Sequence, residues 1–193
     1  MDKENLMRFI YEVFPIARPA LQEIASQFQA KHIAKNEFLL KEGRICNEYL
    51  FLEEGFMRAY THDTDGNEVT TAFYSKNAVV FEVASYFLRT PSKESIQALA
   101  DCSGCFITFD QLQMLFHSIP EFREFGRTVL VKGWVSLKQR MLSMINETAE
   151  QRYAVLMQTK PEILHYAPLK NVASYLGITD TSLSRIRKEL SAK

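Results

Sequence analysis

The sequence predicts an α+β protein with an antiparallel sheet domain in its first half and helices in its second half. Between about residues 31 and 110, short runs of aromatic and β-branched residues alternate with turn residues, as where 49–52 is followed by Glu53-Glu54-Gly55. A long uninterrupted helical pattern follows residue 118, and short amphipathic helices follow it. Many short strands at this spacing favour a sandwich or barrel over a parallel sheet.

Two short helices are predicted before the strands, the second of which has apolar residues at Leu21, Ile24 and Phe28. The predicted strands cover 38–40, 49–52, 56–60, 69–74, 95–100 and 105–109. Asp65-Gly66 predicts a hairpin between the third and fourth strands, because these residues tolerate positive φ. The segment 101–104 predicts a second turn, between the last two strands.

Residues 118–146 form the longest predicted helix. Ser118 and Glu121 fit a capping box, in which Ser is the N-cap and Glu follows three residues later. At about 1.5 Å per residue the helix is roughly 40 Å long, which exceeds what a small strand domain covers. Its apolar residues form two stripes about a right angle apart. The first stripe is Phe122, Phe125 and Val129, and the second is Leu130, Trp134, Leu137, Met141 and Met144.

The second stripe has the 4, 3, 4, 3 spacing of a coiled-coil seam. We expect the first stripe to pack on its own domain and the second to pack on another copy of the chain, in a parallel dimer. The alternative is that both faces are buried within one chain.

Residues 147–193 are predicted to be helical, and 169–190 have the form of a helix-turn-helix. Ala173 is small where two helices cross, and Gly177 suits a turn that needs positive φ. Thr179 or Asp180 can cap the second helix. The face predicted to be buried on the second helix is Leu183, Ile186 and Leu190.

The opposite face of the second helix is hydroxylic and basic, and residues 169–193 carry five Lys and Arg against two Asp and Glu. Hydroxyls and a helix N-terminus suit phosphates, and an arginine can pair two donors with guanine. The predicted DNA-binding residues are Thr179, Thr181, Ser182, Ser184, Arg185, Arg187 and Lys188.

The order of these parts resembles the Crp/Fnr transcription regulators. The stretches ASYLGIT and SLSRIRKEL are similar to the version common in Bacteroidetes-type members. The resemblance implies a cyclic-nucleotide-binding-like antiparallel β-roll at 1–116, a dimerisation helix at 118–146 and a winged-helix-like helix-turn-helix domain at 147–193. It implies that Arg185 stands where family members often place an arginine against guanine. Asp180 and Thr181 replace the Arg-Glu pair of the catabolite activator protein, so that operator sequence does not transfer.

The resemblance implies a homodimeric transcription regulator that senses a small-molecule effector and binds a pseudo-palindromic operator in double-stranded DNA. RNA polymerase is a further partner that it implies. No nucleophile elbow, P-loop or dinucleotide fingerprint is present in the sequence, so we predict no catalytic residues and no enzyme activity.

The family's phosphate-binding cassette has a Gly-Glu pair before a short helix and an Arg-Ser or Arg-Thr pair after a loop. Here Phe81 replaces the glycine, adding bulk where ligand and backbone meet, and Glu94 replaces the arginine and faces a phosphate with a like charge. Lys93 is the nearby cation that can compensate. We therefore predict that cAMP is not the ligand, and that the pocket takes a different effector or none. The candidate effector residues are Glu82, Val83, Ala84, Lys93, Glu94 and Ser95.

Two other functions remain open from the sequence. Cys102 and Cys105 form a C-x-x-C pattern, which leaves a thiol or iron–sulfur redox sensor as an alternative. Such a cluster normally takes four thiolates, and Cys46 is the sole further cysteine, so we favour a structural role for all three. The second alternative is a ligand-binding module that does not read DNA. The four histidines are isolated from one another, so no metal site is predicted.

Composition and charge narrow the class of protein further. Apolar residues make up 47% and charged residues 24% of the 193, which is typical of an ordered protein. The 23 Lys and Arg balance the 23 Asp and Glu, so a nucleic-acid site must come from a local patch. No apolar run approaches the roughly 18 residues of a membrane helix, and the start MDKENLMRFI is too charged for a signal peptide. We expect a cytoplasmic protein without membrane contact.

Overall fold

Strands and helices occupy different parts of the chain in the computed structural model, which describes residues 3–191. The strands are β1 (Gln29–Ile33), β2 (Phe38–Leu40), β3 (Glu48–Glu54), β4 (Met57–His62), β5 (Glu68–Tyr74), β6 (Ala78–Val80), β7 (Ser95–Ala98) and β8 (Cys102–Thr108). The helices are α1 (Glu4–Val13), α2 (Arg18–Gln27), α3 (Val83–Leu88), α4 (Phe109–Ser118), α5 (Pro120–Asn146), α6 (Ala149–Thr159), α7 (Ile163–Tyr166), α8 (Leu169–Leu176) and α9 (Asp180–Ser191).

The strands form two antiparallel four-stranded sheets, ordered β1-β8-β3-β6 and β2-β7-β4-β5. Four consecutive residues are buried in β3 (49–52) and in β4 (57–60), so both faces of these strands are covered, and Phe51 and Met57 lie in the main core. Helices α1 and α5 pack against the same core. This arrangement confirms the predicted α+β class and the antiparallel roll.

All six predicted strands are present, but two short strands, β1 and β6, were not predicted. The predicted hairpin at 101–104 is wrong, because β7 and β8 lie in different sheets and residues 102–104 belong to β8. Gly104 is required there by packing rather than by a turn. A Cβ on Gly104 would lie 2.1 Å from the Phe51 carbonyl oxygen of the neighbouring strand.

The predicted hairpin between β4 and β5 is confirmed. Register pairs His62 with Glu68, and residues 63–67 form the loop. Asp63 Oδ1 accepts hydrogen bonds from the backbone N–H groups of Asp65 and Asn67, at 2.9 and 2.8 Å. The loop is therefore held by its own side chain, as is common for Asp at the start of a turn.

The long helix α5 is present, but the predicted capping box at its start is wrong. Ser118 is the last residue of α4, a helix that was not predicted, and its hydroxyl donates to the Met114 carbonyl oxygen at 3.0 Å. Pro120 instead begins α5 at the first helical position, which suits its fixed φ. Capping boxes occur at the starts of α4 and α6, where Thr108 pairs with Gln111 and Thr148 with Gln151.

The two apolar stripes of α5 have different surroundings. The rings of Phe122 and Phe125 are buried in the main core and stack at 5.2 Å between centroids, with Val129 packed beside them. From Leu130 onward the helix leaves the roll, and the second stripe is exposed. The first stripe thus packs on its own domain, as predicted.

Helices α8 and α9 occupy the stretch 169–190 that was predicted to form a helix-turn-helix. Residues 147–191 contain helices and no strand in the part of the chain that the structure describes, so the winged-helix expectation finds no wing there. This helical unit shares a second core with the roll, in which Phe56, Phe73 and Leu99 of the roll pack with residues of α6 to α9. Thr70 of β5 donates its backbone N–H to Ser174 Oγ of α8 at 3.1 Å.

Gly177 closes α8, and its substitution tests the turn. Its φ is +69°, and an added Cβ would lie 2.4 Å from the terminal methyl of Met144. We expect Gly177→Ala to lower the free energy of unfolding by about 1–2 kcal/mol, because left-handed backbone is costly for alanine. Gly133→Ala is the matched control, since Gly133 is helical with nothing within 4 Å, and it should stabilise by about 0.5–1 kcal/mol. Thermal unfolding of both variants measures the contrast, and equal effects would contradict it.

Candidate nucleic-acid interface and effector cassette

The helix-turn-helix is a packed unit formed by α8 and α9. Val172, Ala173 and Leu176 of α8 are buried, together with Leu183 and Ile186 of α9. The expectation that Leu190 joins this face is wrong, because its side chain is 41% exposed. The eight-residue helix α8 is shorter than α9 and leaves the last turn of α9 uncovered.

The turn between the two helices is fixed by backbone hydrogen bonds. Ile178 N–H donates to the Ala173 carbonyl oxygen and Gly177 N–H donates to that of Ser174, both at 3.1 Å. These bonds satisfy the last carbonyls of α8, in the manner of a glycine C-cap. The start of α9 is therefore held in one orientation relative to α8.

Six of the seven predicted DNA-binding residues lie on α9 and Thr179 immediately precedes it, but they are not equally available. Thr179 Oγ1 accepts the Ser182 backbone N–H at 3.2 Å and pairs with Ser182 Oγ at 3.0 Å, so these two hydroxyls cap the helix. Ser182 and Arg187 are half-buried. The fully exposed members of the set are Thr179, Thr181, Ser184, Arg185 and Lys188.

Arg185 is the most prominent cation of this face. Its side chain is 74% exposed, and its Nε lies 4.0 Å from Glu189 Oε1 one turn later. Its charge also reaches Glu150 at the start of α6. Hydrogen bonding to its own backbone and to Thr148 lowers the pKa of the Glu150 carboxyl, and Arg185 lowers it further. These exposed contacts are weak, so the guanidinium is free to exchange them for a ligand.

The cassette helix α3 is capped by its own glutamate. Glu82 Oε1 accepts the Ala84 backbone N–H at 3.0 Å, and Glu82 Oε2 accepts that of Ser85 at 2.6 Å. A carboxylate at a helix N-terminus is favourable, because the first N–H groups lack partners within the helix. The N–H groups that an incoming anion needs are therefore already occupied.

Phe81 is placed differently from the expectation. Its ring is buried in the main core, 5.0 Å from the ring of Tyr49 and 5.3 Å from that of Tyr86 between centroids. The expectation that its bulk faces the ligand is wrong, because the side chain turns into an aromatic cluster instead. The residue that most alters the cassette for a phosphate is consequently Glu94.

Glu94 is half-buried beside other charges. Burial raises the pKa of its carboxyl, and the Glu82 carboxylate raises it further, whereas a hydrogen bond with Thr71 and, more weakly, the Arg140 guanidinium of α5 oppose this shift. Lys93 is exposed, so the cation whose field reaches Glu94 is Arg140. Arg140 has no local sequence signal that links it to the cassette, because it lies on another element and becomes a neighbour through folding.

The other cassette residues have structural partners or face solvent. Ser95 is buried, and its Oγ accepts the Glu42 backbone N–H at 3.0 Å. Val83 and Ala84 are exposed on α3. Within the predicted set, the Glu82 charge thus acts on the pKa of Glu94, and Ser95 is engaged by the backbone of Glu42.

The three cysteines are buried and unpaired. Cys102 and Cys105 share strand β8, yet Cys102 Sγ lies 3.6 Å from the Phe56 carbonyl oxygen whereas Cys105 Sγ lies 3.7 Å from Glu53 Oε2. Burial raises the pKa of the Cys105 thiol to about 11, and Glu53 adds to the shift. Reactive cysteines have a lowered pKa, so these thiols have the opposite character.

Neither a metal-ion site nor a membrane-spanning helix is present among residues 3–191. No group of three or more His, Cys, Asp or Glu in this range is arranged to hold a metal ion. None of the helices in the same range is both long enough and apolar enough to cross a membrane.

Comparisons with known proteins agree with this architecture. Residues 30–118 match the family model of the cyclic nucleotide-binding domain. The transcriptional activator protein Anr of Pseudomonas protegens is 27% identical over 139 residues, which cover 72% of this chain and 55% of that protein. The fumarate and nitrate reduction regulatory protein of Yersinia pestis is 26% identical over 168 residues, covering 81% and 66%. The chain spans just over half of the first relative and about two thirds of the second.

A solved structure from Eubacterium rectale, assigned to the crp/fnr family of transcriptional regulators, has a similar fold. The TM-score is 0.72 at 14% identity, over 94% of this chain and 88% of that one. Fold and matched domain together define a class of protein in which a cyclic-nucleotide-binding roll is joined by a long helix to a helix-turn-helix. Residues 30–118 therefore match a cyclic nucleotide-binding domain, and the chain as a whole is similar to regulators of the Crp/Fnr type. Its Bacteroidetes-type character stays a prediction.

The burial of Glu94 predicts a pH-dependent gain in stability when its charge is removed. In the unfolded chain Glu94 ionises near the ordinary pKa of 4.5, whereas in the folded protein its pKa is higher. The free energy of unfolding therefore falls as pH rises from 4.5 through the folded-state pKa. We expect Glu94→Gln to unfold at a higher temperature than the unmodified protein at pH 7, and the gain to shrink toward pH 4. Glu12→Gln, at an exposed carboxylate of α1, is the control and should change little. A gain that does not depend on pH would contradict this explanation.

Proposed function

We propose that this chain is a homodimeric, sequence-specific DNA-binding transcription regulator. The proposed parts are a sensor roll at 1–116, a dimerisation helix at 118–146 and a DNA-binding unit at 147–193. The observation that carries the proposal is the exposed basic face of α9, held on a rigid turn and packed on α8. A helix supported in this way can enter the major groove of DNA without rearranging its own core.

The residues of α9 suit different contacts with DNA. Arg185 is exposed and is paired only loosely with Glu189, so it can present two donors to a guanine. Thr181, Ser184 and Lys188 are exposed around it and suit phosphate oxygens. Thr179 and Ser182 support the start of the helix through their mutual hydrogen bond, and we assign them a positioning role.

The dimer is supported by the exposed second stripe of α5. Trp134 is 67% exposed, Leu137 62% and Met141 46%, which is unusual for large apolar side chains along one face. Four further exposed apolar residues widen this face on one side, namely Val131, Val135, Leu142 and Ile145. Met144 is the C-terminal member of the seam. Its terminal methyl lies near Gly177, so this side chain also contacts the helix-turn-helix.

A two-fold dimer would present two copies of α9 to half-sites about 34 Å apart on one side of the duplex. The proposed operator is therefore pseudo-palindromic. Glu82 occupies the anion-binding N–H groups of α3, and Glu94 lies beside it, so cAMP is not the proposed effector. The raised pKa of the Cys105 thiol likewise disfavours thiol redox sensing.

Selection of bound sequences from a pool of random duplex DNA, with and without cAMP, tests the proposal. The expected result is a two-fold-symmetric site that is enriched equally in both conditions. Enrichment that required cAMP would overturn the reading of the cassette. The absence of any enriched sequence, together with affinity that does not change with salt, would support a ligand-binding module that does not read DNA.

Arg185 and Lys188 separate base reading from phosphate contact. On the selected operator, Arg185→Ala should weaken binding by about 1–3 kcal/mol and relax the preference at one base position per half-site. Lys188→Ala should instead weaken binding similarly on all sequences and reduce its salt dependence. Fluorescence anisotropy on the operator and on substituted duplexes measures both variants. An unchanged preference in Arg185→Ala would remove Arg185 from base reading.

Trp134 tests the proposed seam. We expect Trp134→Glu to convert the protein from a dimer to a monomer of 22.3 kDa, because a charge buried between two helices lacks a partner. Tyr11→Glu is the matched control, since Tyr11 is a 55% exposed aromatic residue on α1 and is not part of the second stripe of α5. Sedimentation velocity measures both variants. A Trp134→Glu protein that sediments as the unmodified dimer would refute the seam.

A further inference from the structure

A cavity of about 380 Å³ lies between the C-terminal half of α5 and the helices α6 and α8. It is lined by three cationic side chains, Arg140, Arg152 and Lys160, and by a single carboxylate, Glu147. Its volume is within the range of small-molecule sites in proteins. It is separate from the cassette residues Glu82 and Glu94, which do not line it.

The three cations have backbone carbonyls as partners instead of carboxylates. Arg140 Nη2 donates to the Tyr175 carbonyl oxygen at 2.9 Å, and Arg140 stacks on the Tyr175 ring. Arg152 donates to the carbonyl oxygens of Leu176 and Glu147. Within residues 3–191, none of the three has a carboxylate oxygen inside the 4.0 Å of a salt bridge.

Lys160 contributes a charge that is largely removed from water. Its Nζ donates to the Phe73 carbonyl oxygen of β5 at 2.8 Å. Burial lowers the pKa of this amine, with Glu162 opposing the shift. Three cations against one carboxylate in a partly enclosed space leave an excess of positive charge that carbonyl dipoles only partly offset.

Unused donors also line the cavity. An arginine has five N–H donors, and Arg140 uses one of them on Tyr175. Gln139 and Ser136 lie on the same side of α5 and bring an amide and a hydroxyl to the lining. Arginine donors arranged in this way match the oxygens of phosphate and carboxylate groups.

We propose that this cavity binds a small multivalent anion that carries phosphate or carboxylate groups. The anion contacts α5 through Arg140 and Gln139 and contacts the helical unit through Arg152 and Lys160. It therefore ties the long helix to the helix-turn-helix, at a place distinct from the cassette of the roll. A ligand with these contacts stabilises one orientation of α8, and hence of α9, relative to α5.

Isothermal titration calorimetry of the full-length protein tests the proposal without DNA, so its outcome is independent of DNA reading. Inorganic pyrophosphate is the phosphate probe and citrate is the carboxylate probe, each at ionic strength held constant with KCl. The expected result is binding of at least one probe, at one anion per chain, with Kd below about 1 mM. Binding of pyrophosphate alone identifies a phosphate ligand, and binding of citrate alone identifies a carboxylate ligand. No heat with either probe at millimolar concentration overturns the proposal.

Three variants that each change the net charge by one unit locate the binding. Gln139→Glu adds a carboxylate to the lining without removing a contact of the fold, and Arg140→Gln removes a cation. Both should raise Kd by at least about tenfold. Lys138→Gln is the control, because Lys138 is exposed on α5 and does not line the cavity. Equal weakening by all three variants, or none by Gln139→Glu, would show that the anion binds elsewhere and overturn the assignment.

Discussion

The contact between the sheet β2-β7-β4-β5 and the helical unit α6 to α9 determines where the proposed functional residues stand. Phe56, Phe73 and Leu99 of the roll are buried in one core with Val172 and Leu176 of α8. Their burial supplies non-directional stability, since apolar area removed from water contributes about 25 cal/mol per Å². The hydrogen bonds of Thr70 and Lys160 across the same contact fix the orientation of the helical unit relative to the sheet. Because α9 packs on α8, the contact between the roll and α8 also fixes the orientation of the basic face of α9.

The cassette of the roll carries negative charge and the cavity beside α5 carries positive charge, whereas a phosphate-binding roll requires positive charge in the cassette. In the cassette, Glu82 neutralises the N-terminus of α3 and Glu94 adds a second carboxylate. A cyclic phosphate there would have to displace a carboxylate from two N–H groups and then face another negative charge. At the joint between α5 and α8, by contrast, cations are in excess. An anionic ligand is therefore expected to bind more favourably in the cavity between α5 and α8 than in the cassette of the roll.

Local patterns made most of the fold predictable, and long-range packing accounts for what was missed. The periodicity of α5, α8 and α9 and the runs of aromatic and β-branched residues in β3 to β5 are properties of neighbouring residues. Strand β1 escaped prediction because Ile33 is its single buried residue, and pairing with β8 rather than pattern makes it a strand. Gly104 was taken for a turn residue because sequence does not reveal the nearby Phe51 carbonyl. The basic face of α9 followed from helical periodicity, whereas the position of Arg140 depends on how α5 crosses α8.

Arg140 connects the two sites through a single side chain. Its field reaches Glu94 in the roll, while its guanidinium donates to the Tyr175 carbonyl and stacks on the Tyr175 ring of α8. An anion bound in the cavity offsets part of the Arg140 charge and so weakens its long-range attraction to Glu94, and protonation of Glu94 removes that attraction. Coupling of this kind is reciprocal, because each site changes the free energy of the same side chain. In the proposed regulator, the charge of Glu94 in the roll and an anion in the cavity therefore act on the same guanidinium, that of Arg140.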